Sequence, residues 1–210
     1  MIKLLVIIYN KEKRLRFILE KYNLDYKVMS NAYGTANSKI LEYLGLSGIK
    51  KNIYYTLIDG GMEDYIFNDL KLWCGINKKG MGIAFTMSLS SSSKFIKDNL
   101  DEGEGKMNKK SNYELIVTIV SEGFSDEVMQ AAHAKGCSGG TVIKGRSIGS
   151  HGTMFLDISL EPEKEIVLNI VPIEIKKQVM EGITKECGVK TEARGVVISM
   201  PLDNVIGLQD

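Results

Sequence analysis

Residues 115–145 read LIVTIVSEGFSDEVMQAAHAKGCSGGTVIKG, and residues 4–34 read LLVIIYNKEKRLRFILEKYNLDYKVMSNAYG. Subtracting 111 from the numbers of the first stretch places it on the second without a gap. The pairs matched in this way include Leu115 with Leu4, Val117 with Val6, Ile119 with Ile8, and Gly145 with Gly34. This internal match predicts that the chain contains two copies of one module.

The match continues further along the chain at a slightly different offset. Subtracting 113 places residues 166–202 on residues 53–89. The matched pairs include Cys187 with Cys74, Gly188 with Gly75, Gly195 with Gly82, and Met200 with Met87. The change from 111 to 113 predicts that one loop is two residues longer in the second copy.

Each copy shows strand and helix patterns in the order βαββαβ, which is the ferredoxin-like split βαβ arrangement. Predicted strands cover 3–9, 26–33, 52–58, 82–89, 114–121, 140–144, 165–171 and 195–202, and helices follow the first and third strand of each copy. We therefore predict an α+β chain of two tandem ferredoxin-like modules, at 1–90 and 113–210. Residues 91–112 are polar and charged and predict a flexible linker, with a short helix at 94–100.

The first strand of each copy is apolar on both faces. Residues 4–8 are all apolar, and 115–120 are nearly so. A ferredoxin-like sheet carries helices on one face only, so a strand that is apolar throughout predicts that its second face is covered as well. The cover is expected from the other copy, from other subunits, or from both.

The composition restricts the classes of partner. The 210 residues are 44% hydrophobic and carry a formal net charge of +1, which predicts no nucleic-acid partner and makes any anion site local. The apolar run at 2–9 is too short to span a bilayer and has no cleavage site, so no membrane insertion is expected. Three cysteines argue against a disulfide framework and favour a reducing cytoplasm.

Two loops in each copy carry more glycine and charge than a simple connection needs. The long loops at 34–52 and 145–165 exceed the usual length of a connection. Loops this long are commonly binding or switching elements. The other loops precede the fourth strands and contain Gly80 and Gly82 in the first copy and Arg194 and Gly195 in the second. Glycine-rich turns beside a cation can hold a phosphate through backbone N–H groups. An ordinary turn with solvated charges is the alternative at each position.

These features together resemble a known family. Residues 139–146 (GGTVIKGR) and 196–205 (VVISMPLDNV) are similar to the segment entering the T-loop, and to the fourth strand, of the P-II signal-transduction proteins and their P-II-like relatives. The resemblance covers nearly all of residues 113–208, and it reaches the first copy only through the repeat. It implies homotrimers that bind adenine nucleotides between subunits and report nucleotide state to a partner protein, with a role in nitrogen metabolism.

The resemblance also implies a set of nucleotide-binding residues. In the second copy these are Gly145, Arg146, Ser147 and Gly149 at the base of the T-loop, with Arg194 and Gly195 in the phosphate-binding B-loop; in the first copy they are Gly34, Gly80 and Gly82. The implied effectors are ATP, ADP, AMP or a cyclic nucleotide, with no required cofactor. The long loops would contact an unknown protein partner. Arg146 and Arg194 in the loops of the second copy match the uncharged Thr35 and Met81 of the first, which predicts that anion binding depends more on the second copy. Tyr43 lies in the first long loop, where some family members are modified.

The sequence departs from the family at the B-loop. The family pattern Gly-Asp-Gly-Lys is replaced by Ala193, Arg194, Gly195 and Val196, so a monophosphate, a cyclic nucleotide or no ligand fits equally well. No catalytic set and no metal-ligand spacing is visible, which predicts a protein that is not an enzyme and has no metal site. The alternatives are a CutA-type metal-tolerance trimer, which shares the fold, and a non-nucleotide sensor of the ACT type or a structural assembly module.

Overall fold

The computed structural model describes residues 1–24, 27–35, 49–90, 111–147, 153–155, 158–160 and 163–208. The chain divides into two compact units. Unit 1 comprises Met1–Asn31, Lys50–Asn112 and Pro201–Asp210, and unit 2 comprises Ala32–Ile49 and Tyr113–Met200. Unit 1 therefore includes residues 201–210 of the predicted second module, and unit 2 includes residues 32–49 of the predicted first module. The module bounds 1–90 and 113–210 describe the sequence repeat and stay a prediction.

Unit 1 is an antiparallel sheet with two helices. Its elements are β1 (Ile2–Tyr9), α1 (Glu12–Lys21), the start of β2 (Val28–Gly34), β3 (Ile49–Asp59), a 3₁₀ turn (Gly60–Met62), α2 (Glu63–Asp69), a π-helical turn (Leu70–Cys74), β4 (Gly82–Ser88) and β11 (Asn204–Ile206). The strand order is β2-β3-β1-β4-β11. Strand β11 pairs with β4, with Asn204 opposite Thr86, and Asp203 N donates to Thr86 O at 3.0 Å.

Unit 2 has the same kinds of elements. They are β5 (Tyr113–Ser121), α3 (Ser125–His133), β6 (Thr141–Arg146), β7 (Thr153–Phe155), β8 (Ile158–Leu160), β9 (Glu163–Pro172), α4 (Ile173–Cys187) and β10 (Val196–Pro201). The strand order is β10-β5-β9-β6, and β6 then pairs with the last two residues of β2. Strands β7 and β8 form a separate two-stranded sheet.

The predicted α+β class is confirmed. Residues 2–88 follow the order βαββαβ, and residues 113–201 follow it with β7 and β8 added between β6 and β9. All eight predicted strands are present, with ends shifted by up to three residues. The sequence did not predict β11 or the β7-β8 pair, because three-residue strands carry too little periodicity. The predicted helix at 94–100 and most of the predicted linker lie outside the described residues.

Each unit has its own hydrophobic core between the sheet and its helices. In unit 1, Leu5 and Ile7 of β1 pack with Ile18 of α1 and with Leu70 of the π-helical turn. The unit 2 core contains Ile116, Val120, Val128, Ala132, Val167, Val179 and Ile183. Cys74, Cys137 and Cys187 are buried, and burial raises the pKa of each thiol.

The second face of β1 is also buried, as its apolar run predicted. Val6, Ile8 and Phe85 are at most 4% exposed, although none belongs to the core under the helices. In unit 2 the burial is incomplete, since Val196 and Ile198 on the edge strand β10 are 48% and 46% exposed. The second face of β1 is therefore buried in the single chain. Among the described residues, no helix is long and apolar enough to cross a membrane.

Candidate functional site

The predicted T-loop base and B-loop of unit 2 lie at the same end of its sheet. Lys164 of β9 is opposite both Ser121 at the end of β5 and Gly145 near the end of β6. Ser121 N in turn donates to Ala193 O at 3.0 Å, which brings the turn before β10 to this end. With β5 and β9 between them, the two loops are about 14 Å apart, three inter-strand spacings.

The turn before β10 is closed by its own backbone hydrogen bonds. Arg194 N donates to Thr191 O at 3.1 Å, and Gly195 N donates to Cys187 O at 2.9 Å. In this conformation the Gly195 N–H is used by the Cys187 carbonyl, and phosphate binding by that donor stays a prediction. The residue with positive φ is Arg194, at 48°, and not Gly195. Gly195 is required for a different reason: a Cβ there would overlap the Cys187 carbonyl oxygen.

The other predicted residues of unit 2 occupy varied environments. Gly145 lies in β6 with open space where its Cβ would be, so side chains fit there. Arg146 ends β6 opposite Glu163, and Ser147 follows it, partly buried. Gly149 lies outside the described residues. Gly145, Arg146 and Arg194 thus lie at the same end of the unit 2 sheet.

Gly34 belongs to unit 2, where it pairs with Thr141 of β6. The next residue, Thr35, is bound closely to Gly140. Thr35 N donates to Gly140 O at 2.9 Å, and Gly140 N donates to Thr35 Oγ1 at 2.8 Å. The chain is therefore fixed in the sheet up to the point where the first long loop begins.

Gly80 and Gly82 lie in the turn before β4 of unit 1. Gly80 has φ of 71°, and Gly82 allows β4 to approach the Ile8 carbonyl oxygen. Lys51 Nζ donates to Gly80 O at 3.0 Å. Burial lowers the pKa of Lys51, and no carboxylate in the described part of the chain pairs with it. This turn therefore has a cation without a described counter-charge beside its glycines.

Cations collect at this end of the unit 1 sheet, which we call the basic end. Cross-strand pairing of Tyr9 with both Asn52 and Gly82 brings the flanking residues together. Within the described ranges, the basic end contains seven cations, Lys11, Lys13, Arg14, Lys50, Lys51, Lys78 and Lys79. Glu12, the one acid among these described neighbours, is already bound to Arg16, with Oε1 and Nη2 2.6 Å apart.

The corresponding end of unit 2 has mixed charges. Its described cations are Lys144, Arg146, Lys164, Lys190 and Arg194, and its described acids are Glu122, Asp126, Glu127, Glu163, Glu165 and Glu192. The sequence predicted that anion binding depends more on the second copy. The charge distribution instead favours unit 1 for a ligand of high negative charge, and leaves Arg194 as the candidate for a small one.

Unit 1 also contains a buried ion pair that the sequence did not predict. Lys3 Nζ lies 2.7 Å from Glu63 Oε2, and the two side chains are 4% and 1% exposed. Thr86 Oγ1 donates to the other oxygen of Glu63, and Asp203 Oδ2 lies 3.6 Å from Lys3 Nζ. A lysine within an apolar strand was the available signal. Because its charged groups are bound to one another and buried, this cluster is a structural element of unit 1.

In the described ranges, no group of three or more His, Cys, Asp or Glu side chains is placed to hold a metal ion. His133 Nδ1 lies 2.6 Å from Cys137 O, so that ring nitrogen is engaged with the backbone. His151 lies outside the described residues.

Comparison with known proteins gives limited similarity. No protein-family model matches the sequence, and no curated protein matches it. The nitrogen regulatory PII-like protein CPII from Thiomonas intermedia K12, solved with ADP, AMP and bicarbonate, aligns with 49% of this chain and 100% of its own at 17% identity and a TM-score of 0.36. An unknown protein from Galdieria sulphuraria aligns over 95% and 97% at 13% identity and a TM-score of 0.32.

A third similar structure is the regulatory subunit of aspartate kinase from Thermus thermophilus, in its ligand-free form. It aligns with 88% of this chain and 92% of its own, at 10% identity and a TM-score of 0.25. Similarity at this level assigns neither a family nor a ligand to the chain.

Proposed function

We propose that the chain is a P-II-like regulatory protein that senses a small anionic effector, an adenine nucleotide, and regulates a partner protein in the cytoplasm. The role is regulatory and not enzymatic. The resemblance of residues 139–146 and 196–205 supports the effector class. The partner would bind the long loops at 34–52 and 145–165, most of which lie outside the described residues.

The observation that carries this proposal is the conformation of Arg194. It is an exposed arginine held at φ 48°, a region that costs about 1 kcal/mol or more for a residue with a Cβ. Glycine would relieve that cost. An arginine kept in a strained, solvent-facing turn, at the position of the predicted phosphate loop, is consistent with a binding role for its guanidinium.

We also infer that the chain is a tandem duplication. The ion pair of Lys3 and Glu63 in unit 1 has a counterpart in unit 2, where Lys176 Nζ lies 2.8 Å from Glu114 Oε1. Glu114 is 111 residues after Lys3, and Lys176 is 113 after Glu63, the same two offsets that match the sequences. The pair is thus retained with its charges reversed, which a common ancestral module explains.

Thermal shift measurements with ATP, ADP, AMP, cyclic AMP and 2-oxoglutarate test the proposed effector class. A nucleotide present at 100 times its Kd should stabilise the protein by about 2.7 kcal/mol. Arg194→Ala should weaken that binding by about 10- to 100-fold, the loss expected for one charged hydrogen bond. Arg194→Gly should weaken binding equally while leaving the unliganded protein as stable as the parent or up to about 1 kcal/mol more stable.

Lys190→Ala is the control, since it removes an exposed cation from the same turn without changing the strained position. If Arg194→Ala bound every nucleotide as tightly as the parent, the phosphate role would be ruled out. Metal-induced stabilisation that survived alanine at Arg146 and Arg194, without any nucleotide effect, would favour the CutA-type alternative. No response to either would favour an assembly module or an amino-acid sensor.

Assembly into a homotrimer is the second part of the proposal. Exposed Val196 and Ile198 on β10, beside Ile119 at 37% exposure, form an apolar surface on unit 2 that a neighbouring chain could cover. Multi-angle light scattering should give three times the chain mass, and Ile198→Glu should reduce it. The control is Leu72→Glu, which places the same charge on an exposed site of unit 1. A monomer mass for the parent would contradict this assembly.

A further inference from the structure

Unit 1 has an open groove with exposed aromatic side chains. It has a volume of about 480 Å³ and is lined by Arg14 and Phe17 of α1 and by Leu72 and Trp73 of the π-helical turn. Phe17 and Trp73 are 55% and 57% exposed, with ring centroids 6.0 Å apart in an edge-to-face arrangement. Two large aromatic rings left this exposed and side by side indicate a surface that contacts something outside the unit.

The groove is continuous with the basic end. Arg14 belongs to both, and Lys13 lies one helical turn before Phe17. On the other side, the Lys78 side chain lies over Gly75, with Cδ 3.5 Å from where a Cβ of that glycine would be. Gly75 is two residues after Trp73. Cations therefore lie close in sequence to both rings, Lys13 in α1 before Phe17 and Lys78 after Trp73.

Unit 2, in the part that the structure describes, lacks both the exposed aromatic pair and the excess of cations. By the 113-residue offset, Leu72 and Trp73 correspond to Lys185 and Glu186, which form an ion pair with Nζ and Oε1 3.1 Å apart. The corresponding sheet end carries six described acids and five described cations. Since the two units share element order and core, the fold does not require the aromatic pair or the cation excess. Among the described residues, both features belong to unit 1 alone.

Cations beside exposed aromatic rings suit one class of ligand better than others. A single-stranded nucleic acid offers phosphates for the lysines and unstacked bases for the rings. An acidic peptide would pair with the lysines but does not in general carry a group that stacks on the two rings. A lipid surface needs a larger apolar area than one groove provides. The total charge of +1 predicted no nucleic-acid partner, but the total does not show how unevenly the charge is distributed.

We propose that unit 1 binds single-stranded nucleic acid, with the phosphates on the basic end and at least one base stacked on Trp73 or Phe17. This activity goes beyond effector sensing. It uses residues of unit 1, whereas the nucleotide proposal depends on Arg194 of unit 2, so each can fail while the other stands.

Fluorescence anisotropy with the full chain and labelled 12-nucleotide dT and rU strands tests the proposal. If four phosphates are neutralised, the logarithm of the affinity should fall with that of the salt concentration with a slope of about −3. Trp73→Ala should weaken binding by about 5- to 150-fold, the range for one stacked base, and Trp73→Phe should retain most of the affinity. The Lys78→Ala, Lys79→Ala double variant should reduce the slope by about 1.4.

Lys190→Ala, in the corresponding turn of unit 2, is the control and should bind like the parent. Thermal melts of each variant check that the fold is retained. We expect that it is, because the substituted side chains are exposed. The proposal is overturned if neither strand binds at about 50 mM salt, where phosphate contacts are strong. It is also overturned if heparin or poly-glutamate binds as tightly and Trp73→Ala changes nothing, because the surface would then recognise negative charge without bases.

Discussion

Replacing Glu63 by alanine is expected to destabilise the folded protein by about 3 to 5 kcal/mol, the range for breaking a buried ion pair. Glu63 is 1% exposed and is bound by Lys3 and by the hydroxyl of Thr86. Removing its carboxylate leaves the Lys3 ammonium at 4% exposure with the more distant Asp203, 3.6 Å away, as its counter-charge. Urea denaturation followed by circular dichroism measures the loss.

The chain provides its own control for this prediction. Lys176→Ala breaks the reversed pair of unit 2, in which Lys176 and Glu114 are 30% and 15% exposed. Because water can solvate the remaining Glu114, the expected loss is about 1 kcal/mol or less. The double variant Lys3→Met, Glu63→Leu should recover much of the loss of the single variant, since the buried charges of the pair are then both removed. Equal losses for Glu63→Ala and Lys176→Ala would show that burial does not determine the effect.

Gly195→Ala is expected to destabilise the protein by about 3 kcal/mol, at the upper end of the usual cost of inserting a methyl group into a packed site. The new Cβ would overlap the Cys187 carbonyl oxygen, and backbone atoms cannot move aside as a flexible side chain can. The shift that relieves the overlap also stretches the hydrogen bond from Gly195 N to Cys187 O. Thermal denaturation of the variant measures the cost.

Gly145→Ala is the matched control, because it is the same substitution at another predicted site glycine. Gly145 has open space around its Cβ position and lies in β6, where alanine adopts the backbone conformation without strain. The expected change in stability is within about 0.5 kcal/mol. If Gly145→Ala were as damaging as Gly195→Ala, close backbone approach would not be the reason that Gly195 is glycine.

The sequence located much of the candidate site along the chain, but it did not give the backbone conformation or the hydrogen bonds there. The glycine and charge pattern placed Arg194 and Gly195 in one turn before a strand, which is where they lie. The pattern could not show that Arg194, and not the glycine, has positive φ, nor that the Gly195 N–H is used by Cys187. Backbone conformation in a turn depends on which neighbouring strand or helix the turn is packed against. That information is not local.

The sequence by itself determined the elements of this protein. Alternating and continuous apolar runs predict strands, and apolar positions three and four apart predict helices, because both periods arise from local backbone geometry. The α+β class and the βαββαβ order followed from those runs, and so did the burial of β1 on both faces. The two offsets of 111 and 113 also came from the sequence, and they match the reversed ion pair found later.

The tertiary structure alone decided which distant residues meet. Strand register brings Lys11, Lys51 and Lys78 to one end of a sheet, although the chain separates them by tens of residues and its total charge is nearly neutral. The same is true of β11, which pairs with β4 more than a hundred residues earlier. Electrostatic fields and ion pairs depend on distance in space, and that distance is fixed only when the strands are paired.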